Sequence, residues 1–182
     1  MLTEEQLQDI FEVADLLSDG NREIFLQLRD VVFSNDPNQI LESMEHILTP
    51  KAFDNFLDRV GESEKENLWL ILMLLLERFD YVFMRDADSE LSSFIHSFDS
   101  LQQVRHAGIL LSLDSEGLDV SASMSEWATV LNDKYVHEGY CFGAIELTSE
   151  CYYLFFTQQK NFNRIQELAD LLGYRVDYAK FI

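Results

Sequence analysis

The stretch LWLILMLLL, residues 68–76, places nine apolar side chains in a row between Glu66-Asn67 and Glu77-Arg78. Such a run crosses a membrane, forms a dimer interface, or lies in the core of its own chain. A membrane-spanning helix needs about 20 apolar residues, so this run is too short to span. A helix that is apolar on all sides must be covered by protein. We therefore expect the chain's own helices and sheet to pack around this run, with a dimer interface as the alternative.

The residues before this run predict amphipathic helices with marked starting points. Thr3 and Gln6 have the spacing of a capping box. Two further starts combine a capping side chain with a proline in the first turn. The predicted helices cover residues 3–17 and 21–33, a third from Asp36-Pro37, a fourth from Thr49-Pro50 to near Gly61, and a fifth from Ser63 to about Phe79.

After Phe79 the spacing of apolar residues changes to a mixture of strand and helix patterns. The stretches YCFGAIEL and CYYLFFTQ, joined by a short turn, predict a hairpin. The other predicted elements are a strand over FDYVFMRD, a short helix over ADSELSSFIHSF capped near Asp88, a strand over GILLSLD (108–114), a helix capped by Ser125 and closed by Gly139, a helix ending at Gly173, and a final strand over YRVDYAKFI.

From Ile109 onward this order is β-α-β-β-α-β, the split βαβ arrangement of ferredoxin-like folds. We therefore predict an α+β fold, in which an N-terminal helical bundle packs on a C-terminal mixed or antiparallel sheet. Both strands of the predicted hairpin are apolar on both faces, so each face of the sheet needs a cover. The prediction is a single compact unit over residues 1–182, with a helical part over 1–79 and a sheet part over 80–182.

The chain is strongly acidic, with a formal net charge of −20 and a pI of about 4.3. Residues 160–182 carry four basic side chains against three acidic ones, so the remaining residues carry −21. This charge repels phosphate backbones and anionic lipid. We therefore expect no direct nucleic-acid binding, no membrane, and a protein partner that is preferentially basic. The alternative is that the acids only keep the protein soluble.

Motifs that bind cofactors or perform catalysis are not found in the sequence. There is no glycine-rich phosphate-binding loop and no G-x-S-x-G elbow, and we expect no cofactor and no catalytic residue. The four histidines lack zinc-ligand spacing. We expect Cys141 and Cys151 to be free and buried, because their predicted strand positions are too far apart for a disulfide. The amino terminus lacks the features of a secretory signal, so the predicted location is the cytoplasm.

Two short runs of carboxylates are the candidate interaction residues. The run DADSE resembles the start of a calcium loop but has Leu91 where glycine is needed and Ser97 where glutamate is needed. The run LDSEGLD follows a predicted strand, and carboxylates from two strand ends can hold a divalent ion or share a proton. Loop acids of this kind are more often solvated side chains and caps. The candidate acids are Asp86, Asp88 and Glu90 in the first run and Asp114, Glu116 and Asp119 in the second.

The stretch from about Phe79 to Ile182 resembles a family of bacterial domains of unknown function. The similar parts are FDYVFMRDADSELSSFI, LNDKYVHEGYCFGAIELTSECYYLFF and FNRIQELADLLGYRV. The resemblance implies no established reaction and no catalytic residues. The size and charge of the chain are also similar to those of the acidic immunity proteins that neutralise bacterial toxins.

Three functions are compatible with these observations. The first is a non-enzymatic acidic interaction module, with an immunity or antitoxin role as one form, that binds a basic partner. The second is a small-molecule or divalent-metal-dependent enzyme that uses the strand-end carboxylates. The third is a nucleic-acid mimic whose acids imitate a phosphate path. The first explains the charge without requiring a catalytic motif, and we take it as the leading hypothesis.

Overall fold

The computed structural model of the chain describes all residues, 1–182, and divides into two compact units, Met1–Phe79 and Asp80–Ile182. The first unit is a bundle of five helices. These helices are α1 (Glu4–Ser18), α2 (Arg22–Phe33), α3 (Pro37–Ile47), α4 (Pro50–Arg59) and α5 (Glu64–Arg78).

The helix starts in the first unit follow the predicted caps. The Thr3 hydroxyl accepts a hydrogen bond from the Gln6 N–H, and the Gln6 side chain accepts one from the Thr3 N–H, which completes a capping box. Asp36 and Thr49 cap α3 and α4, and Ser63 caps α5. Each cap satisfies a backbone donor that the helix itself leaves open.

Helix α5 contains the apolar run, and all nine of its side chains are at most 4% exposed. Helices α1, α2 and α4 contact it within the first unit. Polar contacts fix its ends, since the Leu2 N–H donates to the Glu64 carboxylate at 2.8 Å and Arg78 Nε donates to the Ile47 carbonyl at 3.0 Å. The run is thus buried within one chain and needs no second copy to cover it. No helix of the protein is long and apolar enough to cross a bilayer.

The second unit combines helices with a four-stranded sheet, which confirms the α+β class. All strand pairs are antiparallel, and the spatial order is β1-β3-β2-β4. Its elements are β1 (Phe83–Met84), α6 (Leu91–Ser100), α7 (Gln102–Ala107), α8 (Met124–Tyr135), β2 (Tyr140–Thr148), β3 (Cys151–Gln158), α9 (Gln159–Leu172) and β4 (Val176–Tyr178), with short 3-10 turns over Val136–Glu138 and Ala179–Phe181.

The two faces of the sheet are covered by different helices. Phe142 and Phe156 point to one face, where they pack with Phe98 of α6 and Leu131 of α8. Phe155 points to the opposite face and stacks on Phe162 of α9, with ring centroids 6.1 Å apart. The hairpin is therefore apolar on both sides because each side meets a helix.

The predicted strand over residues 108–114 is wrong, and the ferredoxin-like order is not confirmed. Gly108 takes a left-handed conformation that ends α7, and residues 109–114 form turns. The carboxylate of Asp99 accepts hydrogen bonds from the N–H groups of Leu111 and Ser112, at 2.7 and 2.9 Å. The Asp99 side chain thus accepts the hydrogen bonds that these backbone N–H groups would have donated to a neighbouring strand.

The cysteines are free and buried, as predicted. In the hairpin Cys141 lies opposite Thr157, whereas Cys151 lies opposite Thr148 after a bulge in β2. The two thiols therefore lie near opposite ends of the hairpin. That the two units together form one compact body stays a prediction.

Candidate functional site

Three of the six candidate acids lie on a long connection between α7 and α8. This connection contains only turns, and we call its residues 112–121 the acidic loop. Structureless connections longer than about 12–15 residues are uncommon in compact domains and are usually functional or disordered. Asp114, Glu116 and Asp119 are all exposed there.

Buried side chains and a carboxylate hold the start of the acidic loop. Ile109 and Leu111 are 8% and 0% exposed and belong to the core of the second unit. The two hydrogen bonds from Asp99 fix the backbone at Leu111 and Ser112. The loop therefore leaves the core at a defined point and direction.

An ion pair holds the acidic side of the loop against α8. Lys134 Nζ lies 2.8 Å from Asp114 Oδ2. The hydrogen bond from Lys134 lowers the pKa of Asp114, and the same bond raises the pKa of Lys134. Gly117 has φ +87°, and a Cβ atom added there would lie 3.2 Å from Val130 Cγ1. The turn thus depends on a residue that tolerates the left-handed region and lies close to α8.

The end of the loop is fixed by a turn and a tryptophan. The Asp119 carboxylate accepts hydrogen bonds from the N–H and the hydroxyl of Ser121, both at 2.8 Å. These bonds lower the pKa of Asp119. Trp127 Nε1 donates to the Asp119 carbonyl at 2.7 Å. Ser123 then begins α8 with a capping box to Glu126.

Two large apolar side chains project from this loop among the acids. Leu113 is 82% exposed and Val120 is 80% exposed. Sequence reasoning missed them because it assigned Leu113 to a strand and gave Val120 no role. The signal that was available is the position of both residues in a run rich in Ser, Asp, Glu and Gly. The loop therefore exposes two apolar side chains, each next to an acid in the chain.

The other three candidate acids lie on a separate loop between β1 and α6. Asp86, Asp88 and Glu90 are exposed. The Asp86 carboxylate accepts a hydrogen bond from the Asp88 N–H at 3.0 Å, which closes a local turn. Glu90 precedes α6 without a side-chain capping bond. This loop has no large apolar side chain exposed as fully as the two in the acidic loop.

Metal binding was one of the alternatives for these carboxylates. The structure contains no group of three or more His, Cys, Asp or Glu side chains arranged to hold a metal ion. In the acidic loop, the carboxylates of Asp114 and Asp119 already accept bonds from Lys134 and Ser121. Two of the candidate acids are thus already bonded to other groups of the protein.

Comparison with known proteins gives a family and no function. The model of a domain of unknown function (DUF6630) matches residues 9–179. This match covers nearly the whole chain, including all of α2 to α9 and all four strands. No curated protein and no solved structure matches the chain at a significant level.

Proposed function

The chain belongs to the DUF6630 family of domains of unknown function, and we propose that it is a non-enzymatic protein-interaction module that binds a basic partner. The observation that carries the proposal is the acidic loop, in which Leu113 and Val120 stand exposed beside Asp114, Glu116 and Asp119. Protein interfaces commonly have an apolar centre and a polar rim. The loop supplies both within ten residues.

The distribution of charge supports the same proposal. No Asp or Glu side chain of the protein is buried, although the net charge is −20. An acidic surface raises the rate at which a basic protein associates, to as much as about 10⁸–10⁹ M⁻¹s⁻¹ at low salt, against about 10⁵–10⁶ M⁻¹s⁻¹ for a neutral pair. Binding through such a surface weakens as salt screens the charges.

The rigidity of the loop favours binding as well. Asp99, Lys134 and Trp127 hold its start, middle and end through hydrogen bonds of 2.7–2.9 Å. A loop that is already ordered loses less conformational entropy when a partner binds. An immunity-type role, in which the basic partner is a toxin, is one form of the proposal and is supported by the size and charge of the chain. Cytoplasmic location belongs to the same proposal.

The test compares capture of proteins by two matched variants and the natural chain. The loop variant carries Leu113→Ser and Glu116→Gln, two exposed residues whose side chains take no part in the hydrogen bonds that hold the loop. We expect the natural chain to retain a basic protein at about 0.01 M salt, where the Debye length is about 30 Å, and to release it near 1 M, where it is about 3 Å. We expect the loop variant to retain much less at low salt.

The control variant carries Asp170→Asn and Leu171→Ser on α9, where Leu171 is 71% exposed. It loses one acid and one exposed leucine, as the loop variant does, and we expect it to bind like the natural chain. Equal capture by all three chains would contradict the role of the loop. If the natural chain retained no protein at low salt, or retained a protein that is not basic, the proposed function would be contradicted.

A further inference from the structure

A cleft of about 270 Å³ lies within the second unit, and none of its lining residues belongs to the acidic loop. It is lined by the end of α8 and the turn after it, the first residues of β2, the first residue of α9, and the end of β4 with the turn that follows. Ligand pockets usually measure about 300–1,000 Å³ and combine an apolar wall with a few convergent polar groups. This cleft is slightly smaller, so its size suits a small organic molecule.

One wall of the cleft is a set of aromatic rings that continues into the core. Tyr178 stacks on the buried ring of Phe162, with centroids 4.6 Å apart, and Phe162 stacks in turn on Phe155. Phe181 meets Tyr178 edge to face at 6.1 Å. Tyr140 lines the cleft from the other face of the sheet, where it stacks on Phe156 at 5.1 Å. Buried rings of the core thus support Tyr178 and Tyr140, whereas Phe181 is 60% exposed at the mouth of the cleft.

A nine-tenths buried amide contributes an unused donor to this cleft. Asn132 is 9% exposed, and its Oδ1 accepts a hydrogen bond from the Phe142 N–H at 2.9 Å. That bond fixes the orientation of the amide. Its NH₂ group donates to no protein atom and is not sealed from solvent. The group is therefore open to an acceptor atom of a ligand that enters the cleft.

A lysine ammonium without a carboxylate partner stands at the same cleft. Lys180 Nζ lies 5.8 Å from the centre of the Tyr178 ring and 5.2 Å from that of Phe181. No acid lies within ion-pair distance of it, although the protein carries 33 Asp and Glu residues. The rings hold the ammonium in place and leave its donors available.

The remaining polar groups limit what the ligand is. Gln159 donates to the Tyr178 hydroxyl at 2.9 Å and keeps its carbonyl oxygen unbonded. Asp133 is an exposed acid on the lining, and the Cys141 thiol stays neutral because burial raises its pKa to about 12. One cation beside one acid, in a strongly acidic protein, disfavours a ligand with several negative charges.

We propose that this cleft binds a small aromatic monocarboxylate, whose ring packs on Tyr178 and Phe181 and whose carboxylate accepts hydrogen bonds from Lys180 and Asn132. Charge-assisted hydrogen bonds of this kind are among the stronger ones in proteins. The site lies outside the acidic loop, so the proposal does not depend on the proposed partner. It assigns binding and no reaction.

The test is an NMR titration of the whole chain with phenylacetate, following the Asn132 side-chain NH₂ signals and the backbone amides of residues 178–181. We expect saturable shifts below about 10 mM, a concentration that nearly saturates a site with a Kd of ~1 mM. Acetate lacks the ring and inorganic phosphate carries more charge, and we expect both to bind more weakly. Phenethylamine, which has the ring but the opposite charge, is expected to leave the Asn132 signals unmoved.

Three variants separate binding at this site from general charge effects. Lys180→Gln is expected to weaken phenylacetate binding about tenfold or more, because a charge-assisted hydrogen bond is lost. Lys160→Gln makes the same charge change at an exposed position on α9 and is expected to have little effect. Asn132→Asp keeps the acceptor for Phe142 but replaces the donor with a like charge, so it is expected to abolish binding.

Absence of saturable shifts with phenylacetate would overturn the proposal. Equal weakening by Lys180→Gln and Lys160→Gln would overturn it as well, since only general electrostatics would then be at work. Tighter binding of phosphate or phenethylamine than of phenylacetate would show that the ligand class is wrong. The backbone spectrum of each variant reports whether its fold is intact.

Discussion

Gly143 lies in the middle of β2, opposite Phe155 of β3. A Cβ atom at this position would lie 2.6 Å from Phe155 Cζ and 2.9 Å from Phe162 Cε2. Both rings are at most 1% exposed and stack on one another, so neither can swing aside. The absence of a side chain at one residue is what allows the sheet, α9 and the aromatic wall of the cleft to meet.

Gly143→Ala should therefore destabilise the protein by about 1–3 kcal/mol, the usual cost of overpacking a core. Urea unfolding measures the change in the free energy of unfolding. Gly61→Ala is the matched control, because a Cβ atom there meets nothing within 4 Å. A loss of stability at Gly61 as large as that at Gly143 would contradict the steric explanation.

Cys141 gives a prediction for the alkaline range. It is 1% exposed, and burial raises the pKa of its thiol from 9.0 to about 12. Above pH 9 the unfolded chain loses this proton while the folded chain keeps it. The thiol's contribution to stability is therefore complete below pH 9 and is lost as the pH rises towards 12.

The urea midpoint of the natural chain should fall between pH 9 and 12 by more than that of a Cys141→Ala variant. The two proteins are compared by how steeply their urea midpoints change with pH, since the Cys141→Ala variant also loses some packing at every pH. The native thiol should in addition resist iodoacetamide at pH 8 until the protein is unfolded. Fast alkylation of Cys141 in the folded protein would show that the thiol is not buried as described.

At the scale of elements, the helices of the first unit followed from their caps because capping is a local effect. Thr3, Asp36, Thr49 and Ser63 each satisfy backbone donors within three residues of themselves, and such signals are readable in a sequence. The start of α8 was displaced by two residues, since Ser123 rather than Ser125 forms the capping box with Glu126. The short α7 was not predicted at all.

The conformation of the connection between α7 and α8 could not be predicted, because it depends on a contact between residues that are distant in the chain. A short apolar run such as residues 109–111 suits a strand or a buried turn equally well. The deciding contact is the Asp99 carboxylate, 12 residues before Leu111 in the chain. The sequence therefore identified the acids of the loop but neither its conformation nor the exposure of Leu113 and Val120.

Asp99→Ala should loosen this connection. Two backbone donors lose a charged acceptor, and hydrogen bonds to charged groups contribute about 1.5–3 kcal/mol each. Hydrogen exchange should become faster at the Leu111 and Ser112 amides and stay unchanged in α5. Asp170→Ala, an exposed acid on α9 without these bonds, serves as the control. Unchanged exchange at both amides would mean that Asp99 does not anchor the loop.

At the scale of the whole molecule, the apolar run of α5 and the acidic side chains are separated, although Leu113 and Val120 are exposed among acids. The nine side chains of residues 68–76 are buried and no carboxylate is. Amphipathic spacing and the short length of the apolar run made this separation predictable. The sequence does not predict which acids lie close together in space, because that depends on how loops distant in the chain are arranged. The nucleic-acid mimic, which requires regularly spaced acids on one surface, stays a prediction.

The measurement that tests the central claim most directly is acrylamide quenching of Trp69 fluorescence in a Trp127→Phe variant, with sedimentation on the same samples. Trp69 is 0% exposed in a single chain, and the protein has only two tryptophans. The account predicts fluorescence that resists quenching equally at every protein concentration, whatever the state of association. Strong quenching, or protection that disappears when a dimer is diluted, would contradict it, since the apolar run would then be the surface that partners meet.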